Sequence, residues 1–392
     1  MTDATLAPWP TGRGSYADIE RRFGADRAQL LHRALVTGDP LADAVVDELH
    51  EHGGSARADL VRGIGHGLAT LENPMPATAA LLEQTESSVE RADPELLDRG
   101  SLPHFGPRGS VHIISLSAGA LVRVYQVPSI SRVLAITGRL VDGAERRIRE
   151  TGAWQAEALL PGALRAGGPG YVATLQVRLL HAQMRRLARS REYAEASLGA
   201  PINQVDLVRT WLDFTLTSYQ AESLMGWGYS REDQASLYRC WRLIGSLLGI
   251  DPELLAGIEN NGAAVVLDEL MEAVTGDPIT ESAELAAATL DAMADLLAET
   301  LRLPRWVNLA VLRSLTRRFH GASRSDRLRV PRTPVADVVL AVLIAGNRLR
   351  WWILNRRPEA LAAARAKHLE GSRRFLRTGL DGAPTYREQG VQ

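Results

Sequence analysis

Lysine is almost missing: of 45 basic residues only Lys367 is a lysine. A phosphate-binding P-loop needs Gly-Lys-Ser/Thr and a Schiff-base enzyme needs a buried lysine, and Lys367, in Ala-Arg-Ala-Lys-His, fits neither. Cys240 is the one cysteine, which excludes an intrachain disulfide, a cysteine-rich zinc or iron–sulfur site and a Cys-x-x-Cys-His attachment of haem. No Gly-x-Ser-x-Gly elbow occurs, which argues against a serine hydrolase. The net charge of -1 leaves no basic excess for nucleic acid, so the arginines from 302 to 332 read as solvated helix faces. Long apolar runs are absent too. The most apolar stretch, 338–346, is about half of a membrane span, and the first residues lack a charged region followed by an apolar core. The expectation is a cytoplasmic chain without membrane insertion, and no pattern selects a protein partner.

Strand signal is scarce, with Val111-His-Ile-Ile-Ser the one short candidate. Three-to-four apolar spacing fills most of the rest, over 16–36, 40–52, 56–70, 77–90, 113–125, 130–151 and, beyond 203, in one segment after another. Asp39-Pro40 reads as a helix N-cap with proline in the first turn. The proline- and glycine-rich stretch 92–112 reads as a loop. The fold class is therefore all-α. Residues 1–15 are expected to be a flexible arm, 16–377 one helical domain and 378–392 a flexible tail.

The densest pattern lies at Arg178-Leu-Leu-His181-Ala-Gln-Met-Arg185. At about 100° per residue, Arg178 and Arg185 fall to one side of His181, and Val177, Leu180 and Met184 to the other. The imidazole thus stands on a border between guanidinium groups and hydrocarbon. Two arginines within a turn oppose a third positive charge and favour a neutral ring that can ligate a metal. Haem has matching parts: an apolar face, propionates that seek arginine, and an iron that takes a histidine. A hydrogen-bonded core histidine meets the same pattern.

Upstream, Arg147, Glu150 and Thr151 share one helix face, and the glycine-rich stretch 161–170 lets their helix fold back on that of His181. This places a polar triad opposite the imidazole, unless it is only an exposed ion pair at a helix end. Downstream, Asn203 suits an N-cap, with Asp206 three residues later in capping-box position. His50 and His52 point about 200° apart on a helix and read as exposed residues. Gly63-Ile-Gly-His-Gly67 lacks the flanking strand of a dinucleotide site and reads as a turn or a close helix contact.

Taken together, four motifs in order resemble the latex-clearing protein family of rubber oxygenases and the related oxygenases of mycophenolic acid biosynthesis. They are Gly38-Asp-Pro-Leu-Ala-Asp-Ala-Val-Val46, Arg147-x-x-Glu150-Thr151, Arg178-x-x-His181-x-x-x-Arg185 and Pro201-Ile-Asn-Gln-x-Asp206, spread over residues 30–260. The resemblance implies globin-like helical packing and a non-covalent haem b with His181 as the iron ligand. It implies that Arg178 and Arg185 support that ligand or the propionates, and that Arg147, Glu150 and Thr151 form a polar catalytic wall with dioxygen as co-substrate. The best-known rubber oxygenases carry a lysine where this chain has Glu150, and their further acidic residue would fall near Ser131, where no carboxylate stands. The function so implied is oxidation, above all cleavage, of a C=C bond in a hydrophobic small molecule such as a terpenoid or polyketide. Hydroxylation, epoxidation or dehydrogenation at the same iron, and a haem-binding sensor or carrier, are the alternatives.

Overall fold

The structure, a computed structural model, describes residues 7–136, 143–380 and 382–389. The helices that frame the site and its supports are α1 (Tyr16–Phe23), α2 (Ala25–Val36), α3 (Pro40–His52), α4 (Gly54–His66), α5 (Pro76–Glu90), α6 (Ala144–Ala158), α7 (Pro169–Arg189), α8 (Gln204–Leu212), α9 (Arg231–Leu247), α10 (Asn261–Val274), α11 (Thr280–Leu301), α12 (Arg305–Arg327), α13 (Pro334–Asn355), α14 (Pro358–Thr378) and the short α15 (Thr385–Gln389). No strand occurs among the described residues, so the chain is all-α as its periodicity predicts.

α3 shows how local chemistry sets an element. Asp39 accepts a hydrogen bond from the Ala42 amide at 3.2 Å, Pro40 occupies the first turn, and Gly53 ends the helix at φ 65°. Ala42, Val45, Val46 and Leu49 bury one stripe at i, i+3, i+4 and i+7 against α5 and α7. Gly63, in the suspected glycine turn, brings α4 so near α5 that a Cβ there would strike Leu82. α6 and α7 form an antiparallel hairpin, α7 lies on α3, and α11 packs against both α6 and α12. α13 turns Leu340, Ile344 and Trp351 inward and leaves Val335, Val338 and Val342 exposed.

Several expectations need correction. The stretch 92–112 is no plain loop: it holds helices Pro94–Arg99 and Gly109–Ile114 with a 3-10 turn, Leu102–Phe105, between them. The segment expected over 130–151 shows helices Pro128–Ile136 and Ala144–Ala158, the second running on through Gly152, while 137–142 lie outside the described residues. Val111-His-Ile-Ile-Ser is helical, from Gly109 to Ile114, and runs into a seven-residue π-helical segment, Ser115–Leu121, whose residues are all buried. Val111 and His112 are buried while Ile113 is 40% exposed, so it is tertiary packing of one helix face that overrides the strand preference of these β-branched residues. A second π segment, Asp213–Thr217, packs against the first. At its C-terminal end the Ser218 hydroxyl donates to the Asp213 carbonyl at 3.0 Å, five residues back, a bond that suits the widened turn. Residues 7–15 of the expected arm are docked: Thr11 and Gly12 donate to the carbonyls of Ala196 and Ser197, and Arg13 forms a buried ion pair with Asp206 at 3.0 Å. Of the expected tail, Pro384 and Tyr386 are buried, while residues 381 and 390–392 lie outside the described residues.

The first π segment also leads to an expected acid sensitivity. His320 donates through Nε2 to the Ala118 carbonyl at 3.0 Å, and burial pushes its pKa down to about 3. An unfolded histidine titrates near 6.5, so between these values the unfolded chain binds the extra proton and stability falls as pH falls. At pH 5 the loss from this residue is about 2 kcal/mol. His368, pushed by burial to about 4, and His104 act in the same direction. His320→Gln keeps a donor without the titration. Its denaturation midpoint is expected to vary less between pH 7 and pH 5 than that of the unaltered protein; equal slopes would refute the assignment.

Candidate functional site

The α6–α7 hairpin walls a cavity of about 270 Å³. α7 contributes Val177, Leu180, His181 and Met184; α6 contributes Arg147, Glu150, Thr151 and Trp154. The predicted border on α7 is therefore real. Its hydrocarbon side faces the cavity with the imidazole at the edge, and Arg147, Glu150 and Thr151 share that space. Both π segments reach it through Leu121 and Phe214. Trp154, Phe214 and Trp241 form an aromatic cluster with ring centroids 5.4–6.1 Å apart, and the Trp211 indole donates to the Trp241 carbonyl at 2.7 Å. The cavity is thus an apolar chamber with a few polar groups in its wall, the usual composition of a small-molecule site.

Arg178 and Arg185 do not face this chamber. Arg178 holds Asp39 through two hydrogen bonds of 2.6 and 3.0 Å and Gln84 at 2.8 Å, while Arg185 holds Asp43 at 2.7 Å. Both arginines are 1% exposed. Their guanidinium groups are committed to α3 and α5, so the expected role for them with propionates is withdrawn: they position α7, and through it His181. With Asp39 and Asp43 beside them, their repulsion of a charged imidazole is largely cancelled as well.

Glu150 differs from expectation in another way. Its Oε1 accepts the Arg146 Nε at 2.8 Å and both the backbone amide and hydroxyl of Thr385, at 2.9 and 2.7 Å. This carboxylate ties down the C-terminal segment at the cavity rim. Arg147 lies with its guanidinium carbon 5.7 Å from the centre of the Tyr125 ring and donates to the Tyr125 hydroxyl at 3.4 Å. Ser131 donates to the Tyr125 carbonyl and lies outside the chamber wall.

The cavity carboxylate that sequence reasoning missed is Asp206. Asn203 is the N-cap of α8, as predicted, and accepts the Asp206 amide at 3.1 Å. The Asp206 side chain is not a capping-box partner, however. It accepts hydrogen bonds from Arg13, Ser129 and the Asn203 amide group at 3.0, 2.8 and 3.0 Å, and it borders the cavity. Burial pushes its carboxyl up from the ordinary aspartate range, while Arg13 and Ser129 oppose the rise. Its neighbour Ile202 also lines the chamber, at φ 50°, an uncommon conformation for a β-branched residue and a mark of local strain. Gln204 completes the motif by donating to the carbonyls of Gly38 and Gly249 and accepting the Asp251 amide at 2.8 Å.

No group of three or more histidine, cysteine, aspartate or glutamate side chains among the described residues is arranged to hold a metal ion. No single described helix is long and apolar enough to cross a membrane; one bent pair, Gly109–Val124 with Pro128–Ile136, passes by length and composition only.

Comparison with known proteins agrees with the architecture. A solved structure of a latex clearing protein in the closed state superposes with a TM-score of 0.63 at 18% identity, over 89% of this chain and 92% of the other. No curated protein matches the sequence. The family model for the catalytic domain of the ER-bound oxygenase mpaB/B' and rubber oxygenase matches residues 105–353, a span that holds the α6–α7 hairpin, His181 and the helices through most of α13. This chain is a member of that mpaB/rubber oxygenase family.

Proposed function

We propose that this protein is a haem b-dependent oxygenase that cleaves a C=C bond of a hydrophobic small molecule, such as a terpenoid or polyketide, with His181 as the iron ligand. What supports this reading is one imidazole on the wall of an apolar, aromatic-lined chamber that Arg147 and Thr151 also line. The donor set suits haem: a single nitrogen ligand, hydrocarbon and indole surfaces for the ring faces, and no covalent attachment point. Among the described residues Arg147 is the arginine that lines the chamber, and its guanidinium group would serve a propionate or oxygen charge. When bound, the group supplies activation of dioxygen. The protein's own residues do the rest. Trp154, Trp211 and Phe214 exclude water and hold an apolar chain; Arg147 and Thr151 present donors to oxygen atoms that gain negative charge. Cleavage is balanced without an external reductant, because one dioxygen supplies one oxygen to each of the two carbonyls formed.

The test is to supply haem to the purified protein and offer unsaturated terpenoids under air. The expected result is a Soret band and one dioxygen consumed per two carbonyls formed. A Soret band that responds to gaseous ligands without turnover would replace the oxygenase by a sensor or carrier, and failure to retain haem would end the proposal.

A further inference from the structure

We propose that residues 383–387 form a releasable strap over the mouth of the chamber and that Tyr386 sets the length of the molecule admitted. The strap is fastened to one face of α6 at two carboxylates seven residues, or two turns, apart. Thr385 binds Glu150 through its amide and hydroxyl, and Arg387 binds Glu157 at 2.6 Å. Arg146 adds a third tie, to the Ala383 carbonyl at 3.1 Å. Between the fastenings Tyr386 is inserted to 4% exposure and forms part of the chamber wall beside Glu150.

The fastenings and the plug differ in kind. Arg146 and Arg387 are about half exposed, at 55% and 47%, and ion pairs of such groups contribute little and exchange readily. A five-residue helix has no stability of its own, so the segment is held by these ties, by its packing along α7 and by the burial of Pro384 and Tyr386. Releasing it opens the chamber without disturbing α6 or α7, which are anchored elsewhere. In the closed arrangement the phenol ring occupies space that a longer ligand would need. This inference rests on the chamber being the substrate site, and the experiment separates the two.

Burial pushes the Cys240 thiol up to about 12, so it is inert near pH 8, and Met184→Cys places a single reactive thiol in the chamber wall. N-ethylmaleimide labelling of this variant is expected to quicken at least ~10-fold when Tyr386→Ala is added or when the chain stops at Leu380. Leu180→Cys serves in the same way if Met184→Cys does not fold. Equal rates with and without the strap would overturn the proposal. Geraniol, farnesol and geranylgeraniol then probe length through quenching of the chamber tryptophans. Tyr386→Ala is expected to extend quenching to a longer alcohol than the unaltered protein accepts, and an unchanged limit would remove Tyr386 from length selection. If none of the alcohols quenches while the labelling contrast persists, the strap stands and the terpenoid reading of the substrate falls.

Discussion

Asp39→Ala is expected to destabilise the protein by about 3–5 kcal/mol, the cost of leaving a buried arginine without its carboxylate. Arg178 is 1% exposed and gives Asp39 two hydrogen bonds, so loss of the carboxylate strands a charge that water cannot reach. The same substitution removes the cap of α3, a further loss of about 1 kcal/mol. Gly249 shows how closely the pair is enclosed: its φ is +81°, and a Cβ there would collide with Asp39 and Arg178. Three variants separate the contributions. Asp39→Asn keeps the cap and loses the charge, and is expected to recover only the capping part. Arg178→Met leaves a buried carboxylate and is expected to be as damaging as Asp39→Ala. Asp39→Leu combined with Arg178→Met removes both charges and is expected to recover most of the stability. Urea denaturation followed by circular dichroism reads all of them. A double variant no better than the worse single one would show that the pair contributes as an attractive interaction and not mainly by mutual neutralisation.

This pair marks the boundary of what the sequence discloses. Periodicity, caps and glycine stops are local signals, and they place the helices and the α6–α7 hairpin because such elements are specified by residues a few positions apart. The border on α7 is local in the same sense, and Val177, Leu180, His181 and Met184 do share the chamber wall. Local pattern does not say what lies across from a face. Arg178 meets Asp39 across 139 residues of chain and Arg185 meets Asp43 across 142, so two guanidinium groups expected beside a cofactor prove to be committed to α3. Three aspartates on α3 and its cap, Asp39, Asp43 and Asp47, recur every four residues and pair with Arg178, Arg185 and Arg186. That repeat was legible beforehand as an acidic stripe and could have been matched to the arginine stripe of α7. Asp206 has no such sign. Its capping position hides a second use, visible only when Arg13 arrives from the N-terminal segment. Glu150 likewise acquires its Thr385 partner from 235 residues away.

His181→Ala is expected to abolish the Soret band, or to lower haem affinity by at least ~100-fold, while leaving the helical signal and denaturation midpoint nearly unchanged. The two expectations follow from opposite sides of α7. The helix is held to α3 by Arg178 and Arg185, so removing the imidazole leaves both anchoring ion pairs in place. The imidazole stands instead at the chamber edge, where the proposed iron would take its one protein ligand. Arg178→Met is the complementary control: it is expected to lower stability first and haem retention only in consequence, so haem supplied at low temperature should still give a Soret band in whatever fraction is folded. His181→Gly opens a space for a free imidazole, and millimolar imidazole is expected to restore the band in that variant and not in Arg178→Met. A His181→Ala protein that holds haem as tightly as the parent, with the same absorption maximum, would dismiss this residue as the ligand. The chamber would then be an apolar binding site whose one histidine serves only its wall.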